Sequence, residues 1–438
     1  MAVRKAARHY ATGLSRRAQI LDAADGLFRE SGFGSPSLRE IAKAAGLSHP
    51  GLLRYFASKE ELLDALLDRY EGAARAPGGP IAGPPPPLLG DGPAAEPEAG
   101  TPAEPPGPDR IVAAARRNAA VAGYPDLVTA LGGEATRADH PAHARMGRRY
   151  RELRAWTEQM LSTAVPAGGL RAEADRVVAG WEGLQLLALY DPSGIDVAAC
   201  LERYLHGLGP EHAANTAPAA PPRWTLDELV ARDAEEFDRR TGYASGRERR
   251  ARILDAATAL FGARGFHGIS MREVAKAVGI SHSTLLYHFD GKDELLHAVL
   301  ARQDYLTISL GAVAGDTGLP GRLSAVVEAS RRVAYETPGL RELFSVLSGE
   351  AVAPGHPAHA YFEKHFAVSR RYFTTIFEHL AARGELAPGR GPEQEAVWLL
   401  ALCEGLQQQR LYDPEIDPPG LLATSIGRVL DVPAPPAG

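Results

Sequence analysis

A chain of 438 residues, 45% hydrophobic and 23% charged, is too long for one small core and suits several globular domains. No apolar run approaches the ~20 residues of a membrane span, and the opening MAVRKAARHY lacks the apolar stretch of a secretory signal and reads as a basic arm. The net charge of −6 is divided unevenly: residues 1–59 hold 10 Lys/Arg against 4 Asp/Glu, residues 246–292 hold 8 against 4, and the remainder carries −16.

After the arm, Ser15 to Ser31 reads as a helix with Ile20, Leu21, Ala24, Leu27 and Phe28 on one face, ended by Gly32. Ser37 to Lys59 then reads as a helix-turn-helix. Ser37 caps a helix that buries Leu38, Ile41, Ala42 and Ala45, and Gly46 makes the turn. Ser48 opens a second helix, with Leu52, Leu53 and Phe56 facing inward and His49, Gly51, Arg54 and Tyr55 facing out. A helix of this size enters the major groove of DNA. Ser58 and Glu61 form a capping box for a fourth helix running to about Ala74.

Pro77 to Asp109 is a polyproline-rich insert that cannot bury enough apolar surface to order itself. Deleting Pro80 to Pro105 is therefore expected to leave helix content and DNA affinity nearly intact, as circular dichroism and a gel shift would report. Helical patterns resume from Arg110 to about Leu208. A Pro/Ala linker follows, with a helix from Thr225 to Arg239.

From Gly246 the chain repeats itself. Without a gap from Gly13/Gly246 to Leu63/Leu296, more than half the paired residues are identical. Exposed polar pairs are kept: Arg39/Arg272, Lys43/Lys276, Ser48/Ser281, His49/His282 and Lys59/Lys292. Later motifs recur as well. Gly133–Glu134–Ala135 and His140–Pro141–Ala142–His143 return from Gly349 and His356; Glu182 returns as Glu404, and Leu-Tyr-Asp-Pro at Leu189 returns at Leu411. The whole unit is duplicated. The terminal stretches, Ala174 to Leu208 and Glu393 to Leu430, carry the apolar stripes of a dimer interface.

Both copies resemble the DNA-binding domain of the tetracycline-repressor (TetR) family of bacterial transcriptional regulators. The residues concerned are ILDAADGLFRESGF (Ile20 to Phe33), ILDAATALFGARGF (Ile253 to Phe266), and the endings Leu52-Phe56-Lys59 and Leu285-Phe289-Lys292. One departure is that Leu53 and Leu286 stand where the family usually has a tyrosine. The resemblance implies an all-α fold of two tandem TetR-like units, each a three-helix helix-turn-helix domain followed by a helical ligand-binding and dimerisation domain. The expected divisions are 1–64 and 246–297 for DNA binding, 110–208 and 298–431 for regulation, 77–109 for the insert and 209–245 for the linker.

Two roles follow for the paired surfaces. His49, Pro50, Gly51 and Arg54 are expected at base edges, with Ser37, Arg39, Ser48, Tyr55 and Lys59 at phosphates, groove edges or helix caps. In the second unit His282, Ser283, Thr284 and Tyr287 take the base-facing role, and Ser270, Arg272, Ser281, His288 and Lys292 the other. Because Pro50/Ser283, Gly51/Thr284 and Arg54/Tyr287 differ, the half-sites should differ.

Tyr124, Trp156, Trp181, Gln185, Tyr372, Trp398 and Gln407 are candidates for a small-molecule pocket, and equally for ordinary core. The His-Pro-Ala-His segments could hold a metal, or start a helix with proline at its first position; no metal or cofactor is expected. No P-loop, dinucleotide fingerprint or nucleophile elbow is present, so an enzyme is not expected. Cys200 and Cys403 read as free buried thiols of a reducing cytoplasm. The expected function is a ligand-responsive transcriptional repressor, with operator DNA and a small effector as partners and no membrane. The alternative is a ligand-sequestering or interaction protein whose degenerate helix-turn-helix units, lacking the usual tyrosine, no longer bind a specific operator. A single-chain pseudo-dimer is expected, with a homodimer of whole chains as the rival.

Overall fold

The computed structural model describes residues 2–33, 36–75, 106–208, 244–312, 318–336 and 338–430. Nearly all of the proline-rich insert and the helix expected at Thr225–Arg239 lie outside them. Among the described residues the chain is helical, with one isolated antiparallel bridge between Leu386 and Leu430.

Helices α1 (Ala2–Ser31), α2 (Leu38–Ala44), α3 (His49–Leu52) and α4 (Lys59–Arg75) form the first helix-turn-helix unit. Its core is Ile20, Phe28, Ile41, Leu52, Phe56 and Leu62, all fully buried. Each such side chain contributes about 1.5–3 kcal/mol over leaving it exposed. The second unit repeats this with α10 (Ala244–Arg264), α11 (Met271–Val278), α12 (His282–His288) and α13 (Lys292–Ala312). Even the surface ties recur: Arg69 pairs with Asp22 at 2.5 Å and Arg302 with Asp255 at 2.6 Å.

Three local expectations need correction. The segment read as a basic arm is the first part of α1, which starts at Ala2; its Ala, Arg and Lys are good helix formers. Leu53 does not face inward: it is 39% exposed, as is its counterpart Leu286 inside α12, because each follows a fully buried leucine (Leu52, Leu285) and so points about 100° round the helix from the core. The Ser58 capping box is shifted: Ser58 Oγ accepts from Glu61 N–H, but the Glu61 carboxylate accepts from Ala57 N–H rather than from Ser58.

The remaining helices of the first repeat are α5 (Asp109–Ala120), α6 (Tyr124–Glu134), α7 (His143–Leu161), α8 (Ala167–Tyr190) and α9 (Val197–His206). Those of the second are α14 (Gly318–Tyr335), α15 (Pro338–Glu350), α16 (His359–Ala382), α17 (Pro392–Arg410) and α18 (Pro418–Val429). Each terminal apolar stretch is thus two helices with a turn between them. Helices α7 and α8 pack together, as do α16 and α17, and α8 lies directly against α17. Helix α8 is buried on nearly every face, from Val177 through Leu187, as a helix enclosed by neighbours must be.

The contact between repeats is reciprocal. A Cβ on Gly183 would lie 1.9 Å from the Ala401 carbonyl oxygen, and one on Gly405 would lie 1.9 Å from that of Ala179. Glycine is required at both positions because backbone meets backbone. The Tyr190 hydroxyl donates to Ser348 O and that of Tyr412 to Gly132 O, each at 2.6 Å. Asp191 pairs with Arg370 and Asp413 with Arg154, each at 2.7 Å. His143 stacks on Tyr412 and His359 on Tyr190. Every one of these contacts is made twice with the repeats exchanged, which is the signature of a two-fold interface. The Tyr-Asp of each Leu-Tyr-Asp-Pro motif and the second histidine of each His-Pro-Ala-His motif are therefore contact residues between repeats.

Candidate nucleic-acid interface

Each recognition helix is set by its serine caps. Ser37 Oγ accepts from Glu40 N–H while the Glu40 carboxylate accepts from Ser37 N–H, and Ser270 with Glu273 repeats this. Those hydrogen bonds to serine hold both glutamates below the usual carboxylate range, Glu273 at about 2. Ser48 and Ser281 cap α3 and α12 through Gly51 N–H and Thr284 N–H. All four serine hydroxyls are engaged in positioning the helices.

What the caps leave on the surface differs between units. In the first, Arg39, Pro50 and Arg54 are exposed, and His49, Gly51 and Tyr55 are partly so. In the second, Arg272, His282, Ser283 and Tyr287 are exposed, with Thr284 and His288 partly so; Tyr287 is 86% exposed. So large an aromatic left in water on a recognition helix is available to a base or sugar. Burial, with Arg249 and Arg250 nearby, lowers the His288 pKa.

Lys59 and Lys292 turn partly inward. Their ammonium groups lie 4.6 Å and 4.2 Å from the ring centroids of Phe33 and Phe266. Burial lowers both pKa values, opposed chiefly by Glu134 and Glu350. Those two glutamates also accept from Phe33 N–H and Phe266 N–H at 2.7 Å, tying each helix-turn-helix unit to the helices behind it. Burial raises the Glu350 carboxyl to about 7.

The sequence reading missed Arg17 and Arg250. Each guanidinium sits 4.2 Å over the ring of Phe56 or Phe289. It also donates to the carbonyl of Tyr55 or His288, at 3.1 Å and 3.0 Å. They brace the end of each recognition segment. The identity of Arg17 and Arg250 across the repeats was the available signal.

The His-Pro-Ala-His segments do not converge as ligand pairs. His140 and His356 accept through Nδ1 from Ala142 N–H and Ala358 N–H, while His143 and His359 donate to Ala135 O and Ala351 O. Helices α7 and α16 begin at His143 and His359, so Pro141 and Pro357 precede the N-caps and do not occupy the first helical position. His356 does gather with His267 and Glu350, their ligand-type atoms all within 4.8 Å. Because Nδ1 of the neutral His356 ring accepts a proton donor, its Nε2 carries hydrogen and offers no lone pair to a cation.

A cavity of about 380 Å³ lies between the repeats, and of the seven pocket candidates Trp398 alone is among its lining. Tyr124, Trp181 and Gln185 are buried elsewhere, Trp156 and Tyr372 pack on the core, and Gln407 bonds Ser330 and Arg341. Glu173, fully buried, accepts from Tyr204, Arg176 and Arg428 at 2.5–2.6 Å. Burial works against its charge, but these donors hold its pKa below the usual range. Cys200 and Cys403 are free thiols, half-buried rather than fully buried.

Two capped helix pairs with exposed basic and aromatic residues, carried on a helical layer, define a tandem helix-turn-helix protein. The profile described as "Bacterial regulatory proteins, tetR family" matches residues 20–66 and again 253–299. The chain thus carries two segments similar to that family, one in each repeat. Over 132 residues it is 35% identical to the HTH-type transcriptional repressor KstR of Mycobacterium tuberculosis, which spans 29% of this chain and 57% of KstR. Over 144 residues it is 28% identical to the HTH-type transcriptional regulator SrpR of Pseudomonas putida, covering 33% of this chain and 66% of SrpR. The chain thus spans less than two thirds of either relative. Among solved structures, NalD of Pseudomonas aeruginosa matches at 21% identity and a TM-score of 0.37, over 43% of this chain and 99% of NalD. Among the described residues no helix is long and apolar enough to cross a membrane.

Proposed function

We propose that the chain is a cytoplasmic transcriptional repressor that reads one operator with two unlike half-sites as a single-chain pseudo-dimer, and that a small-molecule effector releases it. The observation that carries this reading is the pairing of a shared scaffold with unshared exposed residues. Capping, core and bracing repeat between the units, while Arg54/Tyr287, Pro50/Ser283 and Gly51/Thr284 do not. The reciprocal contacts between repeats support pairing within one chain, and the names of KstR and SrpR support regulation of transcription. We divide the chain accordingly into helix-turn-helix domains at 1–64 and 246–297 and regulatory domains at 110–208 and 298–431. Base contact is assigned to His49, Pro50, Gly51 and Arg54 and to His282, Ser283, Thr284 and Tyr287. The other named residues of each unit position it on the phosphates.

Selection of binding sequences from random DNA, followed by anisotropy titration, tests the reading. The selected site should be an imperfect palindrome. Arg54→Ala should relax preference in one half only, by about 1–3 kcal/mol of discrimination, and Tyr287→Ala in the other half only. Symmetric selected halves, or both variants relaxing the same half, would overturn the assignment. Failure to bind any DNA would leave the ligand-sequestering alternative.

A further inference from the structure

We propose that the effector of the proposed repressor binds the inter-repeat cavity, on the pseudo-two-fold axis, as one molecule per chain. The inference deepens the repressor reading and rests on it for the word effector, though not for the binding site.

The lining locates the axis. Repeat-equivalent residues both face the same cavity: Glu173 with Glu395, Tyr204 with Ile426, and Gly207 with Val429. Each pair is separated by 222 positions, the same shift that relates Glu182 to Glu404. A cavity containing both members of three such pairs straddles the axis and does not belong to either repeat. Two identical chains would give it two identical halves. Duplication has let the halves diverge, since Tyr204 opposes Ile426, and the lining Trp398 has Arg176 as its counterpart. One orientation of an asymmetric ligand is thereby favoured over its two-fold mate.

The chemistry of the walls narrows the ligand. Val165, Phe377, Leu399, Ile426 and Val429 supply apolar surface. Tyr204 stacks on the Trp398 indole with centroids 3.7 Å apart, and a Cβ on Gly180 would meet the benzo edge of that indole at 2.3 Å. The indole is therefore fixed with its six-membered ring against α8. Its Nε1 is buried without a partner, as is the hydroxyl of Ser425, and these residues are 6% and 9% exposed. Buried donors left unpaired are costly unless something accepts from them. The charged walls are already matched, Glu173 by Arg428 at 2.6 Å and Glu395 by Arg390 at 3.1 Å. The site thus suits an uncharged, largely apolar molecule bearing a carbonyl or ether acceptor. At about 380 Å³ the volume falls within the range of small-molecule pockets. A ligand here touches both repeats at once, so it can favour one relative orientation of the two helix-turn-helix units over another.

Nile red, an uncharged planar dye with a carbonyl, is the probe, titrated into the full chain by fluorescence. Saturation at one dye per chain is expected. Val165→Trp, on the loop before α8, and Ser425→Leu should each weaken binding at least tenfold while leaving the far-ultraviolet spectrum unchanged. No saturable binding, saturation at two dyes per chain, or binding unmoved by Val165→Trp would overturn the site. Should Ser425→Leu fail to fold, the loop variant still decides. Operator anisotropy with and without dye is read separately: one dye bound with no change in DNA affinity would sink the effector role and leave the site standing.

Discussion

Gly183→Ala and Gly405→Ala should each lower the melting temperature by several degrees, although alanine is the better helix former. In an open helix the substitution stabilises by about 0.5–1 kcal/mol. At these two positions the new methyl would sit 1.9 Å from a carbonyl oxygen of the opposite helix. The obstacle is backbone, which cannot rotate aside, so α8 and α17 must separate along their whole crossing. Overpacking of this kind typically costs about 1–3 kcal/mol and sometimes more, enough to reverse the propensity gain. Gly26→Ala supplies the opposite sign: it lies on α1, is exposed, and a Cβ there meets nothing within 4 Å. Calorimetry of the three variants should show two falls and one small rise. If Gly183→Ala melted like Gly26→Ala, the two repeats would not be packed through this crossing.

The helix-turn-helix units were legible because their signals are local. Ser37, Gly46 and Ser48 announce caps and a turn within a few residues of where they act, and the repeat at Ser270, Gly279 and Ser281 removes coincidence. The limit of that reading is also local: Leu53 follows Leu52 in an apolar run, as Leu286 follows Leu285, and nothing nearby says that only the first of each pair reaches the core. The contacts between repeats were legible only as recurrence. Tyr190-Asp191 and Tyr412-Asp413 stood out as copied motifs, but their partners Ser348, Arg370, Gly132 and Arg154 are more than 150 residues away. No periodicity records such a separation. The pocket was missed for the same reason. Aromatic spacing speaks only for one repeat at a time, whereas the cavity is assembled from α8 and α9 of one and α16, α17 and α18 of the other, with Glu173, Arg428, Glu395 and Arg390 among its polar walls.

Charge reversal in a single recognition helix should abolish tight operator binding by the whole chain, with Arg54→Glu reducing affinity for the full site at least a hundredfold. Arg54 is exposed in the turn just past α3, so the change is tolerated by the fold, and it places a carboxylate where the first unit is proposed to meet DNA. The second unit keeps all of its own contacts and should bind its half-site as before. Half-site affinities of helix-turn-helix units are individually weak, and a regulator becomes tight because both units engage at once. Joining two binding units in one molecule raises overall affinity by about 10²–10⁴ without any new contact. That gain is what one disabled unit removes. Because both units belong to one chain, the wild-type complex should contain a single 46.7 kDa protein chain per operator, readable by light scattering of the protein–DNA complex. Two chains per operator, with Arg54→Glu costing no more than the loss of one contact, would mean that each repeat pairs with its equivalent on a second chain and that four helix-turn-helix units share the load.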